Sequence, residues 1–145
     1  MKKTLIIITL IFVIVISVLI GLIIANNIRA TEVRIHNQQY ARYLEREIWG
    51  TELTGLINRA MDNNRRNGVM EDEQGNFINN GINSINIDIE MTTVEDTFSM
   101  ERIYRGGTTE FVQAFNFVKF QSSSIEYHEQ TGKISRITFR QLTDN

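Results

Sequence analysis

Apolar residues fall along this chain in three successive patterns. From Leu5 to Ala25 they are continuous: twenty-one residues carry no charge, and seventeen of them are Leu, Ile, Val or Phe. At a rise of about 1.5 Å per residue such a helix spans roughly 31 Å, close to the ~30 Å hydrocarbon thickness of a bilayer. From Ile28 to about Asn64 they recur at helical spacing, with no proline to interrupt. Ala41, Leu44, Ile48, Leu53, Leu56, Ile57, Ala60 and Met61 form a stripe on one face, while Arg42, Glu45, Arg46, Glu52, Asn58, Arg59 and Asp62 mostly face away. Residues 34–39 are polar nearly all round, so the start of this stem reads as solvated or lying among headgroups. From Ile85 onward the period drops to two.

Glycines and asparagines punctuate these patterns. Gly50 and Gly55 each cost about 1 kcal/mol against alanine inside a helix, which points to a kink or a close approach of another backbone. The run Asn63 to Gly68 ends the helix, with Gly68 suited to a left-handed C-cap and Arg65 and Arg66 complementing the dipole. Residues 69–81 read as a loop with short extended pieces and turns at Gln74-Gly75-Asn76 and Asn79-Asn80-Gly81. Ile85, Ile87, Ile89 and Met91 alternate with Asn86, Asp88 and Glu90 in a half-buried strand. Phe98, Met100 and Arg102 alternate less cleanly through Tyr104 to a Gly106-Gly107 turn. In the apolar run 111–120 the Phe115/Phe117 pair favours a strand, whereas Phe111, Val112 and Phe115 suit a short helix. The firmest local feature is a hairpin over 123–140, with Gly132 in its loop.

Together these elements predict an α+β protein: a long N-terminal helix, transmembrane and then amphipathic, packed on an antiparallel sheet of about four strands. The expected parts are an anchor over 1–27, a helical stem over 28–67 and a β-rich part over 68–145 that packs with the stem.

Lys2 and Lys3 precede the apolar run, as in a secretory signal or a signal anchor. The run exceeds the usual signal-peptide core of about 7–15 residues, and Ile23–Ala25 and Ile28–Ala30 are poor cleavage sites. With no cysteine there is no lipoprotein anchor and no disulfide. An uncleaved single-pass anchor is expected. The crowding of positive charge ahead of it places the C-terminal part outside the cell membrane. Ser17, Gly21 and Ala25 fall at i, i+4 and i+8, a small-residue face that suits close approach of a second helix. Small residues also align by chance.

Charge separates the rest. Residues 26–66 carry seven Arg and five acids, whereas 67–145 carry six basic and twelve acidic residues. An acidic outer part repels polyanions, which argues against nucleic acid as a partner, while the Arg-bearing stem suits anionic headgroups.

Candidate chemistry is sparse. His36 and His128 are the only histidines; one falls on the polar stem, the other at an apparent surface hairpin end. Ser122, Ser123 and Ser124 precede His128, but neighbours along a strand point to opposite faces and do not pair as nucleophile and base. Glu71, Asp72 and Glu73 before Gly75 faintly resemble a calcium loop without its acid spacing, and a solvated acidic turn is the simpler reading. No cofactor or metal is expected, and no enzymatic activity. Tyr40, Tyr43 and Trp49 read either as packing onto the sheet edge or as contacts with another subunit.

This order of elements, in a chain of 145 residues, resembles the type IV pilin and pseudopilin architecture. The resemblance is one of layout: Lys3-Thr4-Leu5 stands where that family carries its peptidase site, and the first acid is Glu32, so no family residue role transfers. It implies a non-enzymatic envelope protein that takes part in assembly, with membrane lipid and protein partners or self-association through the helix. The alternative is a membrane-tethered domain that binds or senses a soluble ligand, and a small tethered hydrolase comes third.

Overall fold

The computed structural model describes residues 2–94 and 96–143, and the chain divides into two compact units, Met1–Ile35 and His36–Asn145. Helix α1 runs over Lys2–Ala41. Every residue from Lys2 to Glu32 on it is exposed, including the entire apolar run. That unit is a single helix with no core of its own.

The second unit is an α+β head. After the last turn of α1 come β1 (Ile48–Trp49), α2 (Gly50–Arg66), β2 (Asn86–Met91), β3 (Asp96–Ser99), α3 (Met100–Gly106), α4 (Thr108–Phe115), β4 (Lys119–Tyr127) and β5 (Ile134–Gln141). The strands form one sheet in the order β1-β4-β5-β2-β3. Three of its ladders are antiparallel, but β2 and β5 run parallel, with Ile87 beside Ile137 and Ile89 beside Phe139.

The sheet is therefore five-stranded and mixed, which corrects the expected antiparallel sheet of about four strands. A period of two reports which side chains are buried, not the direction of the neighbouring strand. The charges on the outer face hold this junction without setting its direction, since two acids can face two bases in either sense. Asp88 and Glu90 of β2 lie against Arg136 and Arg140 of β5, with ion pairs at 3.5 and 2.8 Å.

The inner face supplies Ile87, Ile89, Phe120, Ile137 and Phe139, each 1 % exposed or less, and α2, α3 and α4 cover it. On α2 the expected stripe holds from Leu53 onward: Leu53, Leu56, Ile57, Ala60 and Met61 are buried. Burying each of the large side chains contributes about 1.5–3 kcal/mol relative to exposure, and this is what fixes the helix on the sheet.

The stem is not one helix. α1 stops at Ala41, residues 42–47 turn, and Ile48 and Trp49 pair with Phe120 and Lys119 at the edge of β4. Tertiary pairing overrides a helical spacing that Ala41, Leu44 and Ile48 satisfied equally well. Gly50 marks the break: a Cβ there would meet the Phe115 carbonyl, whose carbon lies 2.8 Å away. The Gly50 N–H donates to Val118 O at 3.0 Å, and the Glu52 carboxylate accepts from Trp49 N at 3.1 Å to start α2. The helix ends as expected. Gly68 takes φ 61°, with Gly68 N–H to Arg65 O at 3.1 Å and Val69 N–H to Asn64 O at 3.0 Å.

The extended reading through Tyr104 is corrected as well. The strand stops at Ser99, whose hydroxyl accepts from Arg102 N at 3.3 Å and caps α3. Within 111–120 the helical alternative holds through Phe115, the end of α4, whereas the strand expected from the Phe115/Phe117 pair opens only at Lys119, beyond both residues. The hairpin over 123–140 is present and extends back to Lys119.

Candidate functional site

In the N-terminal unit, Ser17, Gly21 and Ala25 occupy one exposed face of α1. The Ser17 hydroxyl donates to Val13 O at 2.8 Å and that of Thr9 to Leu5 O at 3.0 Å, so both are satisfied inside their own helix. Beyond its chain neighbours and the backbone of its own helix, no atom lies within 4 Å of where a Gly21 Cβ would stand. The face is smooth and offers close van der Waals approach rather than polar attachment, the usual means of helix contact where lipid gives no hydrophobic drive. This helix is long and apolar enough to cross a membrane.

The three stem aromatics separate. Tyr40 is 0 % exposed and Tyr43 6 %, both in the head's core, whereas Trp49 is 43 % exposed. The Tyr40 hydroxyl has no hydrogen-bond partner among the described residues. Around Trp49, the Lys119 ammonium lies 5.4 Å from the ring centroid and 2.8 Å from Glu47 Oε2. Phe117 was missed by the sequence pattern, which placed it in a strand. It sits on the turn between α4 and β4 and is 83 % exposed.

Both histidines are buried, which corrects their placement on a polar stem and at a surface turn. His36 Nε2 donates to Ile134 O at 3.0 Å, and His128 Nε2 donates to Ser84 O at 2.8 Å. Asn37 adds a reciprocal pair beside them: its Nδ2 donates to Gly132 O at 3.0 Å and its Oδ1 accepts from Ile134 N at 2.9 Å. His36 and Asn37 close backbone groups at the start of β5, where β2 does not reach, and His128 closes one just ahead of β2. Ser122 Oγ donates to Leu44 O and Ser123 Oγ to Thr138 O, which assigns these hydroxyls to structure.

In the acidic turn, Asp72 Oδ1 accepts from Gln74 N at 2.9 Å and Asn76 N at 2.8 Å, and these bonds hold its carboxyl below the usual range. Arg105 clamps the same turn through Gln74 O and, at 3.1 Å, Asn76 Oδ1. Among the described residues no group of three or more His, Cys, Asp or Glu is placed to hold a metal ion. On the sheet's outer face, burial pushes the Asp88 carboxyl up, against the opposing pull of Arg136.

One concave surface stands out on the head. An open groove of about 310 Å³ runs between α3 and α4, floored by Phe98, Ile103, Phe111 and Phe115. Gly106 and Gly107 form one side, where the Glu110 carboxylate lies over Gly107, which takes φ 101° at the junction of the two helices. Arg102 forms a wall, stacked 4.1 Å above the Phe98 ring and bonded to Asp96 at 2.7 Å.

Comparison with known protein families, curated proteins and solved structures finds no match. A long apolar N-terminal helix with a mixed sheet is a layout consistent with a pilin-like architecture.

Proposed function

We propose that this chain is a single-pass, membrane-anchored envelope protein without enzymatic activity, whose extracytoplasmic head takes part in assembly in the manner of a minor pilin or pseudopilin. The observation that carries this reading is the uninterrupted exposure of α1 from Lys2 to Glu32, across an apolar run that water would not tolerate uncovered. Lipid is the natural cover for most of that surface, and a partner helix for the Ser17, Gly21 and Ala25 face. The absence of cysteine fits a head stabilised by its core alone.

Chemical cross-linking of the full chain in native membranes, before and after Gly21→Ile, tests the assembly reading. Oligomers that weaken with the substitution are expected, and a monomer indifferent to it overturns lateral packing. Protease added to intact cells tests the topology: a protected head refutes it. The groove between α3 and α4 favours a second reading, a tethered domain that binds a soluble ligand. A monomeric chain that retains an apolar small molecule through purification would favour that reading over assembly.

A further inference from the structure

We propose that the end of α1 is a pH-sensitive latch on the head: a proton taken up at His36 Nδ1 loosens residues 36–44 from the β4–β5 hairpin. The latch lies wholly within the second unit, so it stands or falls separately from the assembly reading.

Residues 36–44 are tied down by a short set of bonds, made mostly by side chains. His36 Nε2 donates to Ile134 O at 3.0 Å, Asn37 Nδ2 donates to Gly132 O at 3.0 Å, and Asn37 Oδ1 accepts from Ile134 N at 2.9 Å. Further along, Arg59 donates to Gln39 O at 3.4 Å and Ser122 Oγ to Leu44 O at 2.9 Å. Tyr40 and Tyr43 are buried, yet the Tyr40 hydroxyl lacks a partner among the described residues, a standing cost to the closed position. The first residue beyond this segment to join a strand ladder is Ile48, paired with Phe120. A segment held by a few side-chain bonds opens at a lower free energy than the sheet it rests on.

His36 is the titratable group at the centre of the latch. A carbonyl only accepts, so the bond to Ile134 O keeps the neutral ring's hydrogen on Nε2 and leaves Nδ1 to take a proton. The residue is buried, and the charged groups that act on it are Lys133 and His128, both bases of the hairpin. From α2 comes Arg59, another cation, facing the Tyr40 turn. Glu32, one turn earlier on α1, is exposed. A second hydrogen on the ring therefore sets a positive charge in a site short of water and beside two bases, with no acid among the groups that act on it. Burial holds the imidazole pKa below its ordinary 6.5, and Lys133 and His128 add to this; the Ile134 carbonyl pulls the other way with less effect. A group whose folded pKa is lowered takes its proton more readily once released. The closed latch is thus at full strength above the unfolded pKa and weakens as pH falls through the window between the two values. Opening lengthens the free chain ahead of β1 from residues 42–47 to residues 36–47, which makes the reach of that connection a function of pH.

Hydrogen exchange of the full-length protein in detergent micelles, at about pH 7.5 and about pH 5 and corrected for the intrinsic chemical rate, tests the latch. Exchange in residues 36–44 should rise by about threefold or more at the lower pH, while β2 and β5 hold their protection. His36→Gln keeps a donor for Ile134 O and does not titrate, so it should abolish the rise; His128→Gln should leave it. No rise, a rise shared equally by the sheet, or a rise that persists in His36→Gln and vanishes in His128→Gln each overturns the proposal. On the unaltered chain, an NMR titration of the His36 ring should show a midpoint below 6.5, and a midpoint at or above that value overturns it as well.

Discussion

Asn64 and Ile85 close a two-bond ring: Asn64 Nδ2 donates to Ile85 O and Asn64 Oδ1 accepts from Ile85 N, both at 2.8 Å. Both residues are 0 % exposed, and β2 begins one residue later. A side-chain amide of α2 thereby pairs the backbone at the mouth of a strand that has no strand neighbour there. Asn64→Leu would leave a buried N–H and a buried carbonyl unpaired. Stability should fall by about 2–4 kcal/mol, read as a lower urea midpoint with an unchanged slope.

Tyr40→Phe should go the other way. The Tyr40 hydroxyl is buried without a partner, so its removal lifts a desolvation cost while the ring keeps its packing beside His36, 5.4 Å between centroids. The variant should be as stable as the parent or more stable by about 1 kcal/mol. A loss of that size in thermal unfolding would show that the hydroxyl has a partner.

Two glycines on α2 separate space from propensity. Gly50→Ala would drive a methyl into the Phe115 carbonyl and should cost about 1–3 kcal/mol. Gly55 lies inside the same helix with no atom beyond its chain neighbours and that helix's own backbone within 4 Å of its Cβ position, so Gly55→Ala should stabilise by about 0.5–1 kcal/mol. Urea unfolding of the two variants side by side checks the pair of signs.

Asp88 predicts a pH dependence. Its folded pKa is raised from 3.8, chiefly by burial, so the folded state holds this proton more tightly than the unfolded chain. That contribution is complete below the unfolded pKa and is lost as pH rises through the folded one. Asp88→Asn does not titrate, so the variant should gain stability relative to the parent between pH 3 and pH 7, as followed by urea titrations at the two pH values. At pH 7, Arg136→Met should destabilise more than Asp88→Asn, because it strands a half-buried carboxylate.

Where burial has a period, the chain announces its fold. Leu53 to Met61 and Ile85 to Met91 take the places their spacing predicts, and the Gly132 loop joins the expected hairpin. The features that escape are set by contacts distant in sequence. Ile48 sits at a helical position yet pairs with Phe120, and no local pattern contains Phe120. His36 and His128 look solvent-facing because their buried partners, Ile134 O and Ser84 O, are backbone atoms that any sequence possesses. Ser99 ahead of Met100 and Glu101 was a usable cap signal for α3. The groove depends on Gly106 and Gly107 bringing two short helices together, and composition alone marks those residues only as a turn.

The strand at the middle of the sheet, β5, is the last one in chain order, and it alone links β4 to β2. During synthesis the ribosome therefore releases every earlier element before the piece that joins them exists. Until residues 134–141 emerge, β2 and β4 are unmatched edges with oily sides, a prolonged window in which chaperones would find their substrate.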